Sequence, residues 1–583
     1  NTGGGNLTVN GFGDTTYGIL NTGGITTQGG AIALTGSSNS DFGIVNVSGI
    51  NSGGGAIVIT GSSNSGTGIG NFGATIASQG GNITLTGISQ TGTGFLAGGS
   101  TVNSGTGNLT LTADQISLPL GTSLQGQGDL LIQPVTPSLN LEVGGTGAAA
   151  TTFLNVTELQ TITNGFRGIT IGRSDGSGQI TVTDAALFFD PVTLRSPVGN
   201  GSVVFNGSVF GFDNAAINVL TSGNITGSGT IANFYAGLDN PISLVSTNGS
   251  IAFTGSIISG GLSGIGSDVL LSAYGNVTTG RIDSSGSTTK SGNITVISQT
   301  GSIDTRAGNL QSNSFNVNGG TVRLSASRDI LTGSINSSAY VGRGGDIILN
   351  SATGKINTTT GTLVSGAFAQ NSGNIFLTAL GDVITGDVRG SSVAFQNSDG
   401  GDVTITSLAG TIDTRAGTVS TTSRGGRGGN LLFQAKGDIY SGTLETLGFY
   451  SSGIGNAGDI RLLADGNIIV GDLLALSTRG AGGTIEVRSL QTVQVGSVFT
   501  SGQQGSGNIS ISSGQPLVLS GTVISSDTFG SGRGGDIQVT APSIFVRDGA
   551  QISASTNASG AGGNVRLAAN QIEISGTTPN NQP

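Results

Sequence analysis

The sequence predicts an all-β protein, a parallel β-helix in which each coil contributes three short strands. Three observations predict it: a very high glycine content, apolar residues recurring at about one coil length, and alternation of apolar with polar residues around each recurrence. Glycine supplies 108 of 583 residues, whereas charged residues make up 9% and proline numbers 10. An ordinary soluble domain carries roughly 25% charge and about 7% glycine. The hydrophobic share of 35% is too large for a disordered coil. Collagen is excluded because there is little proline and no Gly-X-Y period.

The recurrence is clearest near the N-terminus. The phrases GNLTV, GGAIALTG, GGAIVITG, GGNITLTG and GNLTLT place apolar residues at Leu7, Ile32, Ile57, Ile83 and Leu109, in steps of 25 or 26. A second series falls at Ile19, Ile44, Ile69 and Phe95, and a third at Ile25, Ile50, Ile76 and Val102. In the second half the anchors are Ile294, Val322, Ile347, Ile375, Val403, Leu431, Ile460, Ile485, Ile509, Ile537 and Val565, separated by 24 to 29 residues. Around them NITVIS, DVTITS and DIQVTA alternate with period two, the signature of strands with one buried face. Gly and Asn at the strand ends read as residues that tolerate positive φ in tight corners.

Three strands in about 26 residues can close a triangular coil, and coils stacked about 4.8 Å apart bring equivalent strands into register. Each buried anchor contributes about 1.5 to 3 kcal/mol, so columns of Ile, Val and Leu can offset the chain entropy. Some 20 coils would make a rod about 100 Å long. Leucine-rich repeats need a helical outer side, and propellers need blades of about 40 to 45 residues, so neither fits. The beat divides the chain into regular coils over 1–112, irregular decorated coils over 113–290 and regular coils over 291–583. Residues 153–197 are richer in aromatics and charge than their surroundings, yet Ile169, Ile171, Ile180 and Val182 keep the alternation, and Val203, Ile225, Ile251 and Val269 look like further anchors. Phe95, Phe205, Phe376 and Phe433 are expected in the interior columns, with a surface row for glycan stacking as the sharper alternative.

Composition removes many functions. There is no His and no Cys, so Ser-His-Asp triads, Cys-His dyads, zinc fingers and haem attachment are impossible. No apolar run approaches the roughly 18 to 20 residues of a membrane-crossing helix, so no transmembrane segment is expected. Residues 1–290 hold 13 acidic and 5 basic side chains and residues 291–583 hold 18 and 16, the first cation being Arg167. So long a stretch without a cation makes nucleic-acid binding unexpected. The lack of Met, with Asn1 as first residue and the closing phrase SGTTPNNQP, reads as a processed or partial chain.

Candidate chemistry rests on acids. The residues just before the late anchors are Asn293, Thr321, Asp346, Asn374, Asp402, Asn430, Asp459, Thr484, Asn508, Asp536 and Asn564. No two Asp are consecutive, as expected if stacked carboxylates would repel and intervening amides can donate to them. An Asn/Asp corner ladder is the plain reading; calcium bound at Asp346, Asp402, Asp459 and Asp536 is the alternative, no other cofactor being expected. Asp304 with Arg306 and Asp413 with Arg415 sit at i and i+2 in the twin phrases GSIDTRAG and GTIDTRAG. They read as solvent-facing ion pairs, or as an Asp-Arg face for sugar carboxylates. Asp382 with Asp387 and Asp465 with Asp472 are the acid pairs a polysaccharide lyase or hydrolase would need. No Trp and only 6 Tyr argue against such an enzyme.

The phrases GFRGITIGRSDGSG at 165–178, the twin DTRAG phrases, and the run from GGDIQVTAPSIFVRDGAQ to NQIEISGT at 534–577 resemble the filamentous-haemagglutinin-like family of very large bacterial surface proteins, particularly its cyanobacterial members. The resemblance spans most of the chain. It implies a right-handed parallel β-helix and export across the outer membrane, often by a two-partner-secretion transporter. The role it implies is adhesin, sheath or extracellular filament, with glycans or neighbouring copies in a fibre as partners. No NPNL or NPNG secretion motif is present.

Overall fold

The computed structural model describes residues 1–145, 153–234, 238–260, 264–393, 398–449 and 455–576. The chain is all-β, its parallel strands stacked as a β-solenoid of about 21 turns, and the described residues include one helix, Val156–Leu159. It forms two compact units, one of Asn1–Ser259 with Leu270–Tyr274 and one of Gly260–Val269 with Gly275–Pro583.

In the N-terminal unit the three apolar series are the three faces of the coil. On the first face Leu7 pairs with Ile32, Ile32 with Ile57, Ile57 with Ile83 and Ile83 with Leu109. The second face aligns Ile19, Ile44, Ile69 and Phe95, and the third aligns Ile25, Ile50, Ile76 and Val102. The first face continues without a break, Leu109–Thr112 pairing with Asp129–Gln133, which pairs with Gly168–Ile171 and then Val192–Ser196. The other two do not. Their sheets stop at Ile116–Ser117 and Ser123–Gln125, and new ones open at Leu141–Val143 and Ala186–Phe188. The helix lies at this handover.

The C-terminal unit stacks all eleven late anchors, from Ile294 to Val565, in register on one face. All but Val565 are buried. Phe95, Phe205 and Phe433 are interior as expected, but Phe376 is not. It lies between inward-facing Ile375 and Leu377, so strand parity turns it outward, level with Ile348 and Thr404.

The reason for much of the glycine also differs from the expected one. Among the described glycines of the C-terminal unit, positive φ occurs only at Gly505, Gly521, Gly549 and Gly576. The glycines two residues before each late anchor are instead required by contact. A Cβ on Gly373 would stand 2.0 Å from the carbonyl oxygen of Gly345, and one on Gly401 would stand 1.8 Å from that of Gly373. The space is taken by a seam along which the chain returns to the first face: Gly373 N–H donates to the Ser365 carbonyl at 2.8 Å, and Ser365 Oγ donates to the Gly373 carbonyl at 2.7 Å. Ser337 with Gly345 and Thr421 with Gly429 repeat the exchange at 2.7 and 2.6 Å.

Gly373→Ala is therefore expected to cost about 3 kcal/mol or more by overpacking. Gly442→Ala, whose Cβ meets nothing within 4 Å, is expected to be near neutral. Urea unfolding of both variants measures the difference; equal midpoints would contradict the seam.

Candidate binding groove

The insertion at the handover is built from local signals. Asn155 caps the helix, its side chain accepting from Glu158 N–H at 2.9 Å while Glu158 Oε2 accepts from Asn155 N–H at 2.9 Å. Glu158 Oε1 accepts from Leu118 N–H at 3.0 Å, tying the helix to the preceding coil. Burial raises the Glu158 pKa against the lowering effect of these bonds. The chain then pairs with the old third face, Leu124 N–H donating to Thr161 and Thr163 N–H donating to Leu124. In the phrase GFRGITIGRSDGSG, Arg167 binds Asp129, and Arg173 forks onto Asp175 at 2.7 and 3.0 Å while donating to the carbonyls of Pro134 and Val135. The two guanidinium groups hold Asp129 and Asp175 below the usual carboxylate range. The motif is a strand stapled at both ends to earlier coils.

Between the helix and the third face lies a groove of about 200 Å³ lined by Leu159, Gln160, Ile162, Asn164, Ile169, Leu187, Phe188, Phe189 and Asp190. Alternation along the chain makes its wall: Phe188 and Asp190 turn inward, and Phe189 turns out, 47% exposed. Asp190 is 1% exposed and accepts from Gly165 and Phe166 N–H at 3.0 Å. Desolvation raises its pKa, with Asp213 adding to the effect. Asn164 Nδ2 donates to Asp213 Oδ2 at 2.9 Å. Phe189 begins an outward column. It stacks on Phe212 at 5.6 Å between ring centroids, Phe212 meets Phe234 at 5.9 Å, and Phe210 flanks Phe234 at 5.4 Å.

The C-terminal unit carries a different aromatic column. Phe315, Tyr340 and Phe368 stack at 4.7 and 4.4 Å with interplanar angles of 2° and 7°. Their faces cover one another, so the stack presents mainly edges.

The acidic positions singled out from sequence are corner residues. Asp346 Oδ1 accepts from Asn374 N–H, Asn374 from Asp402 N–H, Asp402 from Asn430 N–H, Asn430 from Asp459 N–H and Asp459 from Thr484 N–H, all within 2.7 to 3.0 Å. Asn508, Asp536 and Asn564 continue the pattern. The ladder runs chiefly from side-chain oxygen to the next backbone N–H, in place of the amide-to-carboxylate bonds expected. Asn and Asp serve equally as acceptors there. Asp346 and Asp536 also face Arg343 and Arg533, and the N–H of Asn564 holds the Asp536 pKa down. Among the described residues no group of three or more Asp or Glu converges as a metal site.

The other pairs sit on separate columns. Asp382, Asp387 and Asp472 accept from the N–H groups of Thr411, Thr418 and Ser497, and Asp465 binds Lys436. Asp304 with Arg306 and Asp413 with Arg415 form matching exposed forks at 3.0 and 2.6 Å, and Arg415 also lies over the Tyr440 ring at 4.5 Å.

Sequence reading passed over the groove, although two signals mark it. Asn155 and Glu158 have capping-box spacing, and Phe189, Phe212 and Phe234 recur at 23 and 22 residues, one coil apart. No family model matches the chain, and no curated protein is similar to it.

Asn374→Asp would stack three successive carboxylates at Asp346, 374 and Asp402. This variant is expected to melt lower at neutral pH and to regain stability with millimolar calcium, while chelation leaves the unaltered protein's melting temperature unchanged. A drop on chelation of the unaltered protein would show that its corners hold a cation.

Proposed function

We propose that this chain is a structural and adhesive segment of a large secreted surface protein of the filamentous-haemagglutinin-like kind. In this reading an outer-membrane two-partner-secretion transporter exports it, it works outside the cell as adhesin, sheath or filament component, and its partners are glycans or neighbouring copies. The single observation that carries the reading is where the acids go. Corner carboxylates are committed to backbone N–H groups of the next coil, so they serve stacking, and the outward stations carry hydroxyls, amides, rings and locally neutralised ion pairs suited to weak, repeated contact.

A polysaccharide-degrading reading needs two carboxylates about 5 to 10 Å apart across one cleft, one with a raised pKa. Asp382 and Asp387 accept from different corners, and the backbone N–H of Thr418 holds the Asp387 pKa down. Both facts favour the non-catalytic reading. Passage of the protein over immobilised neutral and acidic polysaccharides is expected to give retention without turnover. Release of unsaturated or reducing-end products would overturn it in favour of a lyase or hydrolase.

A further inference from the structure

We propose that the groove between the Val156–Leu159 helix and Phe189 binds one pyranose ring of an uncharged glycan. The inference rests on the adhesive reading and gives it a defined site. At about 200 Å³ the groove is smaller than the roughly 300 to 1,000 Å³ that takes a drug-sized ligand, and suits a single ring. Its lining joins apolar Leu159, Ile162, Leu187 and Phe189 to the exposed amides of Gln160 and Asn164 and to the buried carboxylate of Asp190. A pyranose has the matching character, with an apolar C–H face to lie against an aromatic ring and hydroxyls around its edge.

The polar groups have capacity to spare. Asn164 spends its Nδ2 on Asp213, which leaves its amide oxygen to accept a hydroxyl. Asp190 receives only backbone donors, from Gly165 and Phe166, and a carboxylate has about four lone-pair sites. Charge selects among sugars. Asp213 adds to the burial that raises the Asp190 pKa, and the nearby cation Arg167 is engaged by Asp129. A uronic acid would add a third negative charge beside Asp190 and Asp213, and the lining among the described residues contains no Arg or Lys, so the site favours neutral rings.

The column beyond Phe189 extends the argument. Phe212 follows Phe189 at 5.6 Å with planes 28° apart, Phe234 follows Phe212 at 5.9 Å with planes 36° apart, and Phe234 is 52% exposed. These steps are close to one sugar unit, so neighbouring rings of the same glycan can follow the column. In the Phe315, Tyr340 and Phe368 stack, by contrast, the rings are nearly parallel and only 4.7 and 4.4 Å apart, so their facing sides are spent on one another.

Saturation-transfer NMR on the full chain tests the site, using cellohexaose, maltohexaose and mannohexaose as neutral probes and hexagalacturonate as the acidic one. At least one neutral probe is expected to receive saturation, more strongly than hexagalacturonate. Phe189→Ala, at an exposed position, is expected to reduce the signal at least about fivefold through loss of the stacking ring. Gln160→Ala is expected to reduce it measurably, and Phe315→Ala to leave it unchanged. No neutral signal, preference for the uronate, or indifference to both Phe189→Ala and Gln160→Ala would overturn the groove. Retention on immobilised polysaccharide separates the two claims: retention that survives Phe189→Ala refutes the groove alone, whereas no retention of the unaltered protein refutes the adhesive reading.

Discussion

Every side chain in a stacked coil has as its nearest neighbours the side chains at the same station one coil above and one coil below. This like-on-like constraint governs the rest of the structure. Aliphatic residues meet it easily, and their columns fill the interior of both units. Amides meet it by donating along the column, as Asn21 does to Asn46 at 2.6 Å and Asn46 to Asn71 at 2.7 Å in the buried core. Carboxylates meet it only in alternation, since two at successive stations would stand about 4.8 Å apart. Glycine meets it by having no Cβ: Gly345, Gly373 and Gly401 succeed one another because each carbonyl occupies the place of the next side chain.

The same constraint explains why the insertion is the place to look for recognition. Where stacking is regular, the corner Asp and Asn side chains are committed to backbone N–H groups one coil away and serve the stack itself. At the handover two faces stop and restart while the first face carries on. The helix, the groove and the buried Asp190 occupy the resulting gap in like-on-like order. Sites that break the local rules of a fold are where function is expected. The stacked Phe315, Tyr340 and Phe368 follow the rule instead, which is why their ring faces are spent on one another.

The fold was legible because period and parity are properties of the sequence itself. The three early series and the eleven late anchors pair residue for residue as their spacing requires. Phe376 reverses its expected interior place because Ile375 and Leu377 on either side already mark its station as outward. The glycine seam was not legible, because tolerance of positive φ and absence of a Cβ both read as Gly, and only the approach of the Gly345 carbonyl distinguishes them. The corner ladder was half legible. Alternation of Asp with Asn pointed to stacking, but the acceptance of backbone N–H groups depends on where the next coil's backbone runs. The groove was hidden for a related reason, since Gln160, Asn164, Phe189 and Asp190 come together only through the handover between faces.

The register itself can be measured directly, since the chain has no cysteine and outward stations accept labels. Nitroxides on Thr404→Cys with Leu432→Cys report one coil step, and on Thr404→Cys with Arg461→Cys they report two. The account predicts strong dipolar broadening for the first pair and much weaker broadening for the second, from backbone steps of about 4.8 and about 9.6 Å. Equal broadening in the two pairs, or none in the first, would contradict it.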